Sequence, residues 1–248
     1  MPRPARPTIS VTIDGQSVSA YEGETVLDAA RRLGIQIPTL CYLDGLSIHG
    51  GCRVCLVEIA EDRNLRPACA VTVRDDMEVL TDTPTLATHR RTVVELLFAE
   101  GNHICSVCVA NGNCELQDLA VATGMDHVRF DYQFPTVDVD ASHPRYTFDP
   151  NRCILCTRCV RACAEIEGAH VWDVASRGED SYLVTELDRP WGEAPSCTSC
   201  GKCVAVCPTG ALFHKDQAVG EMVRDNGLVS FLATARAEGE WIDRGGEP

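Results

Sequence analysis

"CILCTRCVRAC" (residues 153–163) and "CTSCGKCVAVCP" (residues 197–208) decide how this chain is read. The first stretch spaces Cys153, Cys156, Cys159 and Cys163 as C-x2-C-x2-C-x3-C. The second repeats that spacing with Cys197, Cys200, Cys203 and Cys207, followed by Pro208. The chain holds fifteen cysteines in 248 residues. An odd count leaves a pure disulfide framework unbalanced, and a chain long enough to bury a core does not need one. Clustered C-x2-C pairs instead point to metal, and zinc sites seldom need a duplicated run of four.

The duplicated spacing is that of the bacterial two-cluster ferredoxin run, in which the fourth cysteine of each motif ligates the other motif's 4Fe–4S cluster. One cluster is then expected on Cys153, Cys156, Cys159 and Cys207, and the other on Cys163, Cys197, Cys200 and Cys203.

Upstream lies Cys41, Cys52, Cys55 and Cys69, spaced C-x10-C-x2-C-x13-C, with Gly50 and Gly51 just before Cys52. Glycines let the backbone wrap a cofactor closely and aim amide hydrogens at it. The long first gap is like the wrap of a plant-type loop around a 2Fe–2S centre, although the spacing differs. A structural zinc site is the alternative, usually built from two tight pairs, whereas only Cys52 and Cys55 are tight here.

The remaining cysteines, Cys105, Cys108 and Cys114, lie in "GNHICSVCVANGNC" (101–114). Four sites of four ligands need one residue more than fifteen cysteines supply. Of the histidines His49, His89, His103, His127, His143, His170 and His214, only His103 lies inside this motif, two residues before Cys105. His103 with the three cysteines is therefore expected to hold a third 4Fe–4S cluster. Three cysteines plus water, or a zinc site of three cysteines and a histidine, are the alternatives. A neutral imidazole in place of a thiolate removes one negative charge, which raises the potential as it does in Rieske centres.

The rest of the chain frames these groups. Ile9, Val11 and Ile13 alternate before an Asp14-Gly15 turn, and Val18 and Tyr21 lie on the return strand, so residues 8–21 read as a hairpin. Thr25 caps a helix carrying Val26, Leu27, Ala30 and Leu33 and closed by Gly34. "CRVCLVEIA" (52–60), "CAVTV" (69–73) and "MEVLTD" (77–82) supply further strands, giving a small mixed sheet grasping a helix. Thr83-Pro84 opens a helix to Glu100, with Leu86, Val93, Val94, Leu97 and Phe98 as its apolar side. "ELQDLAVAT" (115–123) follows as a short helix, and "DYQFPTVDVDASHPRY" (131–146) as a linker. An exposed helix and a disordered end, "DRGGEP", are expected after Asp225.

The fold class is therefore α+β. The expected domains are a β-grasp 2Fe–2S ferredoxin domain over 1–82, a small helical histidine/cysteine-ligated 4Fe–4S domain over 83–135, and a two-4Fe–4S ferredoxin-like domain over 136–225. A tail takes 226–248. A net charge of −14 opposes nucleic-acid binding. No apolar run is long enough to span a membrane, and the start, "MPRPARPTISVTI", carries no secretory signal, so a cytoplasmic location is expected.

This order of centres resembles the electron-entry modules of a superfamily. It comprises the large iron–sulfur subunit of respiratory complex I, the N-terminal half of iron-only hydrogenases, and the small diaphorase subunit of NAD-reducing NiFe hydrogenases. The resemblance runs from about Thr8 to Asp225. "LLFAEGNHICSVCVANGNCELQDLA" (96–120), "GMDHVRF" (124–130), "CTRCVRAC", "EIEGAH" (165–170) and "CTSCGKCV" are similar to the last of these. His103 stands two residues before the first cysteine, whereas complex I subunits usually place it four before. Both ferredoxin motifs are complete, and the chain has no room for a molybdopterin-type or hydrogen-activating domain. The resemblance implies a flavin-containing (FMN) NAD(H)-binding diaphorase partner on the 2Fe–2S side and NiFe hydrogenase subunits on the other. An NAD-dependent formate dehydrogenase or a complex I-like NADH dehydrogenase is the rival setting, and a zinc-stabilised adaptor the rival of another class. No nucleophile–base pair, phosphate-binding glycine loop or dinucleotide fingerprint is present, so no catalytic residue is expected and the chain serves an oxidoreductase complex as a subunit.

Overall fold

Asp14-Gly15 turns the first hairpin, with both residues in the left-handed region, and strand β1 (Thr8–Ile13) pairs antiparallel with β2 (Gln16–Tyr21). The computed structural model describes residues 7–238. Helix α1 (Val26–Arg32) begins with a capping box: Thr25 Oγ1 accepts from the Asp28 N–H, and the Asp28 carboxylate accepts from the Thr25 N–H, each at 3.2 Å. Strands β3 (Leu56–Ile59), β4 (Arg66–Pro67) and β5 (Met77–Leu80) complete a sheet of order β2-β1-β5-β3-β4, with β1 and β5 parallel. Alternate residues Val11, Ile13, Val57, Ile59, Met77 and Val79 face one side and bury against Val26, Leu27 and Ala30 of α1. This is the expected β-grasp.

The strand expected over 69–73 is not formed. Residues 68–70 turn instead, the ladder moves forward to Arg66–Pro67, and only a Thr25–Thr72 bridge remains. Residues 52–55 likewise form loop, and pairing starts at Leu56. In both places the chain leaves the sheet to carry cysteines.

Helix α2 (Pro84–Glu100) is capped by Thr83 Oγ1, which accepts from the Leu86 N–H at 3.2 Å. Its buried side includes Leu86 and Val94 as expected, but also Arg90 and Glu95. Arg90 donates to the carbonyls of Leu56 and Thr81, and Glu95 takes Arg91 at 2.8 Å and Arg129 at 2.7 Å. Burial works to raise the Glu95 carboxyl, but the hydrogen bonds from Arg129 and Arg91 prevail and hold it below the usual carboxylate range. Helix α3 (Glu115–Ala122) is followed by Gly124, whose φ is +64°.

Downstream, β6 (Tyr146–Phe148) pairs antiparallel with β9 (Leu212–His214), bringing the start and end of the ferredoxin-like segment together. Helix α4 (Arg158–Arg161) follows the first cysteine turn, and α5 (Lys202–Ala205) the second. Between them lies a hairpin of β7 (Trp172–Ala175) and β8 (Tyr182–Thr185). The helix expected after Asp225 is present as α6 (Asn226–Glu238), and it is exposed on one side only. Val229 is fully buried in a cluster with Leu43, Leu46, Ala162, Ile166 and Val206. Apolar residues remote in sequence cover it, which local reading of the tail does not reveal. The "DRGGEP" end lies outside the described residues.

The chain forms two compact units. One takes it to Tyr42 and includes Ile48–Ala99 and Asp118–Asp131; the other holds Leu43–Ser47, Glu100–Gln117 and everything from Tyr132 on. The stretch 83–135 is thus divided between them, with most of α2 in the first and Cys105–Cys114 in the second. Among the described residues no helix is long and apolar enough to cross a membrane.

Candidate metal centres

Each ferredoxin motif turns on two left-handed residues, Leu155 (φ +50°) and Thr157 (+58°) in the first, Ser199 (+56°) and Gly201 (+74°) in the second. These kinks place three cysteines of one motif around a hollow. The fourth comes from the other motif. Cys153, Cys156 and Cys159 share a cavity of about 300 Å³, mouth included, with Cys207; Cys163 shares one of about 320 Å³ with Cys197, Cys200 and Cys203. Backbone amides point at the sulfurs: Leu155 N–H donates to Cys153 Sγ at 3.4 Å and Val171 N–H to Cys163 Sγ at 3.3 Å. Burial pushes the Cys156 thiol up to about 12 and drives Cys153, Cys159 and Cys203 upward as well. Such thiols lose their protons to a metal, which supplies the missing positive charge.

A cation occupies the same place in both motifs. Arg158, only 2% exposed, makes a bidentate pair with Glu115 through two 2.8 Å bonds, and Asn226 adds a third donor to Glu115 at 2.9 Å. Its counterpart Lys202 pairs with Glu167 on the rim of the second cavity. The hydrogen bond from Lys202 is the main reason that the Glu167 carboxyl lies below its ordinary range.

The third group lies on one loop. After α2, the Asn102 N–H donates to the Asn151 carbonyl at 2.7 Å, and the buried His103 Nε2 comes to rest where a methyl group on Gly101 would stand 2.5 Å away. Cys105 Sγ lies 3.6 Å from the His103 carbonyl, a short turn leads to Cys108, and Cys114 immediately precedes α3. Cys108 and Cys114 are buried, and burial lifts Cys114 to about 11. The segment after Cys207 closes this loop: Glu115 N–H donates to the Pro208 carbonyl at 2.9 Å, and a methyl group on Gly210 would collide with Cys108 Sγ. Only glycine lets the backbone pass there.

Cys41, Cys52, Cys55 and Cys69 form the fourth group, within the β-grasp unit. The Cys41 N–H donates to Cys52 Sγ at 3.4 Å, and Cys55 Sγ stands 3.4 Å from Cys69 Sγ. The Cys52 thiol holds Cys41 down at about 5 and is itself pushed up; Cys69 does the same to Cys55, held at about 7. The charge of Cys41 also raises Cys55 and Cys69.

Among the described residues no three His, Cys, Asp or Glu side chains converge as the ligands of a single ion do. The cysteines of the two ferredoxin motifs ring cavities instead, with amides directed at sulfur, and this donor set fits iron–sulfur clusters better than mononuclear zinc. Sequence reasoning missed Arg158, Glu115, Tyr146, Trp172 and Trp191 around these sites. The Arg–Lys equivalence within the repeat was the one available signal.

Comparison with known proteins finds iron–sulfur domains along the chain. Residues 6–84 match the family described as a 2Fe-2S iron-sulfur cluster binding domain. Residues 90–129 match the NADH-ubiquinone oxidoreductase-G iron-sulfur binding region, and residues 144–213 the ferredoxin-like domain of NADH-quinone oxidoreductase subunit 3. The chain is 44% identical over 207 residues to a G-type NADH-quinone oxidoreductase subunit of Rhizobium meliloti, covering 82% of this chain and 24% of that protein. It is 42% identical to the NADP-reducing hydrogenase subunit HndD of Solidesulfovibrio fructosivorans, covering 84% of this chain and 36% of that one. The chain thus spans about a quarter to a third of the length of these relatives. It is 36% identical to the gamma subunit of the NAD-reducing hydrogenase HoxS of Cupriavidus necator, covering 84% of this chain and 88% of that protein. A chain in the crystal structure of an NAD+-reducing NiFe-hydrogenase in the H2-reduced state superposes with a TM-score of 0.80 at 38% identity, covering 85% of this chain and 88% of that one.

Proposed function

The chain belongs to the family of iron–sulfur subunits that includes the gamma subunit of NAD-reducing hydrogenase HoxS, and from that membership we propose that it relays electrons between a flavin-bearing, NAD(H)-binding diaphorase subunit and NiFe hydrogenase subunits. The observation that carries the reading is the exchange of Cys163 and Cys207 between the two ferredoxin cavities.

The proposed ligand sets are Cys41, Cys52, Cys55 and Cys69 for a 2Fe–2S cluster, and His103, Cys105, Cys108 and Cys114 for the first 4Fe–4S cluster. Cys153, Cys156, Cys159 and Cys207 hold the second 4Fe–4S cluster, and Cys163, Cys197, Cys200 and Cys203 the third. When bound, such clusters take up and give back single electrons without substrate chemistry. The chain's part is to fix their positions, exclude water and aim donors at sulfur. Leu155 and Val171 supply amides, Arg158 and Lys202 place positive charge, and the neutral His103 ring in place of a thiolate lowers the negative charge at its site. His103→Cys is expected to keep a cluster but lower its potential; an unchanged spectrum and potential would remove His103 from the ligand set.

Isolation of the native complex tests the partners. A flavoprotein that oxidises NADH and a protein containing nickel and iron are expected to accompany the chain. A second reading, the same relay in an NADH-quinone or formate dehydrogenase, draws on the Rhizobium meliloti relative. It predicts a quinone-reacting or molybdenum partner with no nickel.

A further inference from the structure

Trp191 is 1% exposed, yet among the described residues nothing accepts a hydrogen bond from its indole Nε1. Leaving such a donor unpaired costs about 1–3 kcal/mol, and buried tryptophans normally find an acceptor. The ring cannot swing to look for one. It stacks on Tyr146 (5.5 Å between centroids, 18° between planes), tilts against His143 at 4.7 Å and meets Trp172 edge-on at 4.9 Å. Its backbone N–H is fixed by the Asp140 carboxylate at 2.6 Å. The same side chain lines the cavity of Cys163, Cys197, Cys200 and Cys203. The polar groups nearby are committed: Tyr146 Oη donates to the Ser199 carbonyl, and Glu167 takes Lys202. Ser199 Oγ meets His143 Nε2 at 3.1 Å and Thr198 bonds Glu167, which leaves the four cysteine sulfurs as the principal acceptors of that cavity.

Resting on the ligand set proposed above, we propose that the Trp191 indole N–H donates a hydrogen bond to a sulfur of the cluster held by Cys163, Cys197, Cys200 and Cys203, and thereby raises that cluster's potential. A donor at sulfur stabilises the more negative, reduced form more than the oxidised one. The Cys153 cavity is lined by Ile154, Leu183, Pro208 and Leu212 with Thr157 and Thr209, and has no indole. Trp172 is a second indole on the same side, placed to donate to Cys203.

The test is an EPR-monitored redox titration of the intact complex carrying Trp191→Phe, which keeps the ring and removes the donor. One centre is expected to become harder to reduce, its reduced-to-oxidised ratio at fixed ambient potential falling about tenfold (~59 mV for one electron), while the others hold. An intact centre with an unchanged potential overturns the proposal. If the variant does not assemble, the wild-type complex with 15N-labelled tryptophan indoles decides. Two indole nitrogens coupled to that centre's electron spin are expected, from Trp172 and Trp191; one or none overturns the proposal. A wild type with no such reduced-cluster signal would overturn the ligand set as well, which separates that failure from the first two.

Discussion

The segments 153–163 and 197–207 share their cysteine spacing, their paired left-handed turns and a cation before the third cysteine, yet the two cavities differ in almost everything else. The first is walled by aliphatic side chains and two threonines and backed by the pair of buried Arg158 with partly exposed Glu115; the second is walled by Tyr146, Trp172 and Trp191 and edged by a half-buried lysine pair. The repeat fixes where four sulfurs stand, and its surroundings make the two centres unequal. Even the Thr157–Gly201 difference follows. A methyl group on Gly201 would lie 2.6 Å from Tyr146 Oη, whereas the first motif has no tyrosine there and accepts threonine.

The largest effect should come from the exchanged cysteines. Cys163→Ala is expected to abolish the EPR signal of the centre on the tryptophan side and spare the other, although Cys163 belongs to the first motif; Cys207→Ala should do the converse. Loss of the centre within the mutated motif itself would break the comparison.

Arg158→Leu comes next. It leaves Glu115 without its bidentate partner, and the stability read from denaturant unfolding, followed by cluster absorbance, should fall by about 3 kcal/mol. That is the low end for a broken buried pair, because Glu115 is about a fifth exposed and keeps Asn226. Gly201→Ala should cost about 2 kcal/mol from the left-handed backbone and the Tyr146 contact together, whereas Thr157→Gly should be near neutral. Lys202→Met should cost under about 1 kcal/mol, as a partly solvated pair does. Equal losses for Arg158 and Lys202 would show that the two cations play one role.

Much of this was legible in the sequence. The spacing paired Cys163 with the second motif, the hairpin turn and Thr25 cap placed the β-grasp, and Thr83-Pro84 marked the start of α2. What escaped depends on contacts between distant residues. Arg158 finds Glu115 forty-three positions away, Val229 is covered by Leu43 and Leu46, and Tyr146 and His143 pack on Trp191 some forty-five positions on. The strand expected at "CAVTV" failed for a related reason. Its residues are β-prone, but Cys69 must face Cys55, and the turn at 68–70 takes precedence over propensity.

Metal analysis of the purified chain tests the central claim most directly. The account predicts iron and acid-labile sulfide in equal amounts, near the totals for one 2Fe–2S and three 4Fe–4S clusters, with zinc at background. A colourless protein holding zinc near stoichiometry and no sulfide would contradict it.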